Sequence, residues 1–165
     1  MACRGVLFAL NDEEVARLRG AKSDDEILGI VQDEIEQRWD QEHLEECDKA
    51  WEAIHRCLSD GTLVWGRGKY PLNRCILGGE QLHKNTESYV VSLVKPAEVQ
   101  DIAKALLPIN RDWLRERYFK IDQEGYWVPL DEGDFEYTWD YFQGVRRFYV
   151  KAAADERHVI FTVDQ

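Results

Sequence analysis

The stretch Cys47–Gly61, CDKAWEAIHRCLSDG, puts two cysteines, a histidine and an aspartate into one short window. Thiolates and imidazoles are the ligands of structural zinc, and a histidine beside a nucleophile is the usual general base. Read as one helix advancing about 100° per residue, the segment sets Cys47, Trp51, Ile54 and Leu58 on one narrow stripe. His55 falls to one side of that stripe and Cys57 to the other, so the two cannot converge on one ion. The window also lacks a Cys-x-x-Cys knuckle or a cysteine or histidine pair four residues apart, and His83 with Cys75 adds no recognised pattern. The expectation is a packed helix with a partly exposed histidine and no metal.

Trp51 and His55 stand one helical turn apart and can face the same neighbour. If the loop around Pro71–Gly79 folds over this helix, Asn73 or Arg74 joins them in a pocket. General-base chemistry needs an orienting partner and a target, and no nucleophile sits at a diagnostic offset. Ser59–Asp60 reads as a turn former at the helix end. Three roles therefore stand side by side for His55: anchoring a loop through a backbone carbonyl, binding a ligand, and acid–base catalysis. No catalytic residue is assigned. Glu132, Asp134 and Glu136 crowd the start of the last helix, where unpaired N–H groups stabilise negative charge without any catalytic pair.

Two further motifs fail on spacing. GRGK, Gly66–Lys69, lacks the glycine a P-loop places five residues before Gly68, and Tyr70 replaces the hydroxyl that would meet Mg²⁺. Gly125 lacks the acidic frame of a calcium loop.

These residues must be positioned by elements legible in the pattern. Arg4–Leu10 is a short apolar run that reads as a buried strand. Asn11 with Glu14 opens a first helix that stops at Gly20, and Ser23 with Glu26 opens a second with Ile27, Val31, Ile35 and Trp39 on its apolar face. The Cys47–Leu58 segment is the third. Gly61–Lys84 is irregular, and Ser88–Val94 is a β-rich run expected as a central strand. Pro96 starts a helix that buries Val99, Ile102, Ala103 and Leu106, and Asn110 caps a short one through Trp113, Leu114 and Tyr118. The longest helix is expected over 134–154, with Phe135, Trp139, Phe142, Val145, Tyr149 and Ala152 as an aromatic core stripe, and His158–Val163 closes as a strand. Three short strands among several helices give an α+β fold: a small, mainly antiparallel sheet covered by helices, with the terminal strands as neighbours.

At 165 residues with 44% hydrophobic content and six tryptophans, the chain fits one domain over 1–165 with ample core. No apolar run reaches the roughly 20 residues that span a bilayer, and the N-terminal run turns acidic too soon for a signal peptide, so a cytoplasmic protein is expected. The net charge of −11 repels phosphate backbones and anionic membranes, so neither nucleic acid nor membrane is an expected partner. It suits a basic protein partner, or solubility alone. Cys3, Cys47, Cys57 and Cys75 are irregularly spaced and read as free thiols.

The segments RGVLFALNDEEVARL, CDKAWEAIHRCL, YPLNRCILGG, PAEVQDIAKAL and YFQGVRRFYVKAAADERHVIFTV occur in this order along nearly the whole chain. In that ordered set the sequence resembles the YfbM-like family of small bacterial proteins, a domain of unknown function. The resemblance implies an α+β, cytosolic bacterial protein and matches Asp48, Lys49, Trp51 and His55, then Pro71, Leu72, Leu77, Gly78 and Gly79, then Tyr141 and Phe142. Cys47, Arg56 and Cys57 stand where leucine or aromatic residues are expected in the family. It brings no activity, cofactor or catalytic residue. Candidate ligand- or partner-binding residues are thus Asp48, Trp51, His55, Asn73, Arg74 and Tyr141. The leading expectation is a non-catalytic protein-interaction module masking a basic partner, as an immunity protein does. A small-molecule pocket near Trp51 and His55 is the alternative, and a histidine-dependent hydrolase the third.

Overall fold

β1, Gly5–Leu10, and β5, His158–Asp164, pair antiparallel in the register Val6↔Thr162 to Leu10↔His158, so the two ends of the chain form the middle of one sheet. The computed structural model describes residues 3–164; Met1, Ala2 and Gln165, at the ends of the expected single-domain span, lie outside the described residues. Two more strands, β2 (Leu44–Asp48) and β4 (Tyr89–Val94), flank this pair, and the two-residue β3 (Glu80–Gln81) ends the order β2-β1-β5-β4-β3, antiparallel throughout.

Both faces of the sheet are buried, which is why β1 and β4 read as unbroken apolar runs rather than alternating ones. Leu7, Ala9, Val90, Val94, Val159, Phe161 and Val163 face the larger core. Val6, Phe8, Leu10, Tyr89, Val91, Leu93 and Ile160 face a smaller one. The smaller core is closed by α1 (Asp12–Gly20), whose first turn is a full Asn11–Glu14 capping box, and α2 (Asp24–Gly29), whose N-cap is Ser23. α2 widens into a π-helical segment over Ile30–Glu36. A strict four-residue repeat drifts about 40° per step on an α-helix; the wider turns cancel that drift and keep Ile27, Val31 and Ile35 on the buried line.

The larger core is covered by α3 (Trp51–Leu58), α4 (Pro96–Leu106), α5 (Arg111–Tyr118) and the 23-residue α6 (Glu132–Ala154). Among the described residues, no helix is long and apolar enough to cross a membrane.

Three expectations need correction. Cys47 and Asp48 are not on the third helix: they end β2, where a register shift between Gly5 and Val6 accommodates the extra residue Cys47. α3 has no exposed side, because Ala53, His55, Arg56 and Cys57 are buried together with Trp51, Ile54 and Leu58. Trp39 does not continue the buried face of the second helix; its φ of 45° turns the chain out, and the ring is 37% exposed.

Candidate functional site

The six candidate residues fall in three places. Trp51 and His55 are inside the core, Asn73 and Arg74 are in the loop, and Asp48 with Tyr141 is at the β2 edge.

Trp51 packs on Phe161 with ring centroids 5.6 Å apart and donates its indole N–H to the Cys3 carbonyl at 2.9 Å. His55, 1% exposed, accepts the Leu77 N–H on Nδ1 at 3.4 Å. Burial drives its pKa down to about 4, and the nearby Val64 backbone, which favours the protonated ring, offsets only part of that. His55 is thus a neutral ring enclosed by the loop that returns from α3, with the Leu77 N–H on its Nδ1. Asn73 donates to the carbonyls of Gly66 (2.8 Å) and Gly68 (3.4 Å), and Arg74 to that of Gly78. Their polar groups hold the loop together; they do not point at Trp51. None of the five principal clefts among the described residues is lined by Trp51, His55, Asn73 or Arg74. Among those residues no group of three acidic, histidine or cysteine side chains is placed to hold a metal ion.

Asp48 and Tyr141 do come together. Asp48 has a φ of 43°, the left-handed region a side chain rarely takes, at a cost of about 1–2 kcal/mol. Its carboxylate accepts the Tyr137 hydroxyl at 2.9 Å and lies 3.4 Å from the Arg4 guanidinium, while Tyr137 in turn accepts the Lys49 N–H at 3.2 Å. Tyr137 and Tyr141 are one turn apart on α6 and meet edge-on at 4.9 Å. Burial first, then Asp48 and Glu46, push the Tyr141 phenol up, so it stays neutral.

Beside this cluster a cleft of about 320 Å³ follows the outer edge of β2, lined by Trp39, Gln41, Leu44, Glu45, Glu46 and Tyr141. Two aromatic rings and two carboxylates line it, and no cation does. Two left-handed residues, Trp39 and Asp48, bracket the strand that forms it. Glu45 lies against α6 at Gly144, where any Cβ would collide with its carboxylate; a glycine in mid-helix costs about 1 kcal/mol relative to alanine, and here it makes room for that side chain. Glu45 is half-buried and its pKa is raised, by burial above all and by Glu46, with Arg147 offsetting part. The lining thus offers two carboxylates and two aromatic side chains to an entering cation and no like charge to repel it.

A larger cleft of about 350 Å³ holds Arg56, Arg117 and Lys120, but its cations are already engaged. Arg117 donates to the carbonyls of Cys57 and Ser59 (2.6 Å), so it caps the end of α3. Arg56, 4% exposed, binds Glu52 at 2.9 Å and the carbonyls of Gly61 and Gly125, tying two loops together. Glu132 and Glu136 pair with Arg115 and Arg111, whereas Asp134 accepts the Tyr118 and Tyr126 hydroxyls at 2.5 and 2.7 Å, a role that helix-start electrostatics does not cover.

Trp39, Glu45 and Glu46 escaped the sequence reading. Trp39 matched the apolar repeat of the helix before it, and an acidic edge strand carries no periodicity to mark it. Asp48 and Tyr141 were legible only through the family resemblance.

A profile of the family described as "Domain of unknown function (DUF1877)" matches residues 1–162. The fold is similar to that in the crystal structure of a protein of unknown function, YfbM from Escherichia coli, with a TM-score of 0.70 over 97% of this chain and 99% of that one at 16% identity. No curated protein matches the chain.

Proposed function

The chain belongs to the family described as a domain of unknown function (DUF1877), and from that premise we propose that it is a non-catalytic interaction module whose β2 edge receives a cationic side chain of a basic protein partner. The observation that carries this reading is the cleft between Trp39 and Tyr141, lined by Glu45 and Glu46 and by no cation. The net charge of −11 steers a basic partner toward it from a distance, and the two rings give its ammonium or guanidinium group a specific place to stop. Masking a basic surface needs nothing more of this chain, and the best candidate base, His55, is sealed inside the protein.

The test uses polylysine as the cationic probe and calorimetry as the readout. Glu46→Gln and Tyr141→Leu should each weaken binding several-fold, and more steeply at low than at high ionic strength, because the attraction is screened over about 10 Å at 0.1 M salt. Gly144→Ala should do the same by displacing Glu45, without unfolding the protein. Equal affinity of all three variants and the wild type would remove the cleft from the function.

A further inference from the structure

Trp127 is 95% exposed, and Val128 beside it 42%. We propose that the Trp127–Leu130 turn is an apolar anchor that docks onto the surface of a basic protein, an inference that rests on the reading of the partner as basic and adds a second point of contact to it. The turn is built to hold the indole out. Tyr126 points inward and is buried, its hydroxyl bonded to Asp134 at 2.7 Å. The Gln123 side-chain amide donates to the carbonyls on either side of Trp127, Tyr126 at 2.7 Å and Val128 at 2.9 Å, and its oxygen accepts the Leu130 N–H at 3.1 Å. Below, the buried Arg56 guanidinium holds the Gly125 carbonyl and also that of Gly61, two residues before the exposed Leu63 and Val64. A large aromatic presented on a backbone fixed at this many points loses little entropy on binding, which is the property of an interface hot spot.

Charge selects the occupant. Between Ile121 and Val145 stand seven carboxylates and no lysine, arginine or histidine. Glu132 and Glu136 are paired with arginines, but Asp122, Glu124 and Asp131 surround the turn exposed and without ion-pair partners among the described residues. A second copy of this chain would bring the same carboxylates against themselves, and an anionic lipid surface would repel them. A basic surface with an apolar hollow meets both the acidic rim and the indole.

The experiment compares two probes on the purified protein: polylysine, and an amphipathic lysine–leucine peptide of matched charge. The peptide should bind about tenfold more tightly than polylysine, and Trp127→Ala should remove most of that advantage while leaving polylysine binding and the melting temperature unchanged. Equal affinity for the two probes, or an advantage that survives Trp127→Ala, overturns the anchor. Loss in Trp127→Ala of self-association by sedimentation, or of binding to phosphatidylcholine or phosphatidylglycerol vesicles, overturns it in favour of those occupants. The β2 cleft is read separately: if Glu46→Gln leaves polylysine binding intact while Trp127→Ala abolishes the peptide's advantage, the cleft fails and the anchor stands.

Discussion

His55 provides the sharpest test of the interior. Its ring is 1% exposed, and its pKa is lowered from 6.5 to about 4 by burial. The folded protein therefore binds this proton less well than the unfolded chain. Stability is complete above the unfolded pKa and falls as pH drops from 6.5 toward 4. Two and a half pKa units at 1.36 kcal/mol each give a total loss of roughly 3 kcal/mol, of which about 2 kcal/mol has appeared by pH 5. His55→Asn keeps an acceptor for the Leu77 N–H and cannot protonate. Urea unfolding of both proteins at pH 7.5 and pH 5 isolates the effect, because the carboxylates and the other histidines contribute equally to both and cancel in the difference. The wild type should lose about 2 kcal/mol more than His55→Asn between the two pH values. Parallel losses, within about 0.5 kcal/mol, would show that the ring titrates normally and is not the sealed, neutral anchor described here.

Other changes test the surrounding frame. Arg56→Met leaves Glu52 and the carbonyls of Gly61 and Gly125 without their donor, and should cost about 3 kcal/mol in urea unfolding. Gly78→Ala drives a Cβ into the Asn73 carbonyl, a backbone atom with no rotamer to yield, and should destabilise the fold by about 2 kcal/mol or more, measured the same way. Burial raises the thiol pKa of Cys57 to about 12 and pushes Cys47 and Cys75 up as well. Under native conditions a disulfide reagent should therefore titrate the half-buried Cys3 rapidly and the other three only after denaturation. Rapid reaction of a second thiol in the folded protein would contradict the packing around α3.

Much of the architecture was legible in the chain. The apolar runs at β1 and β4, the Asn11–Glu14 box, Pro96 at a first turn and the aromatic stripe of α6 each follow from local periodicity or capping, and each stands where those rules put it. The antiparallel neighbours at the two chain ends were legible too, since short strands between long helical excursions leave the termini to pair. β2 was not. LEECD has little strand propensity and no alternation, and it becomes a strand because β1 offers it a free edge. Near its end Cys47 continues the apolar spacing of α3, so periodicity alone sets Cys47 on a helix wheel to which it does not belong. Cys47 and Cys57 are both packed in the larger core, one from the end of β2 and the other from α3.

The candidate site divides along the same line. Residue types alone picked out Trp51 and His55, yet type says nothing about exposure. The ring of His55 is neutral because a loop some twenty residues further on closes over it, and Trp127 stands in solvent because Gln123 and Arg56 fix the backbone beneath it. Sequence determined which segments coil, which extend and where they stop, since those choices are made within a few residues by backbone sterics and hydrogen bonding. Only the tertiary structure decided which polar groups meet water and which meet one another, because desolvation and charge pairing depend on neighbours that the chain brings together from far apart.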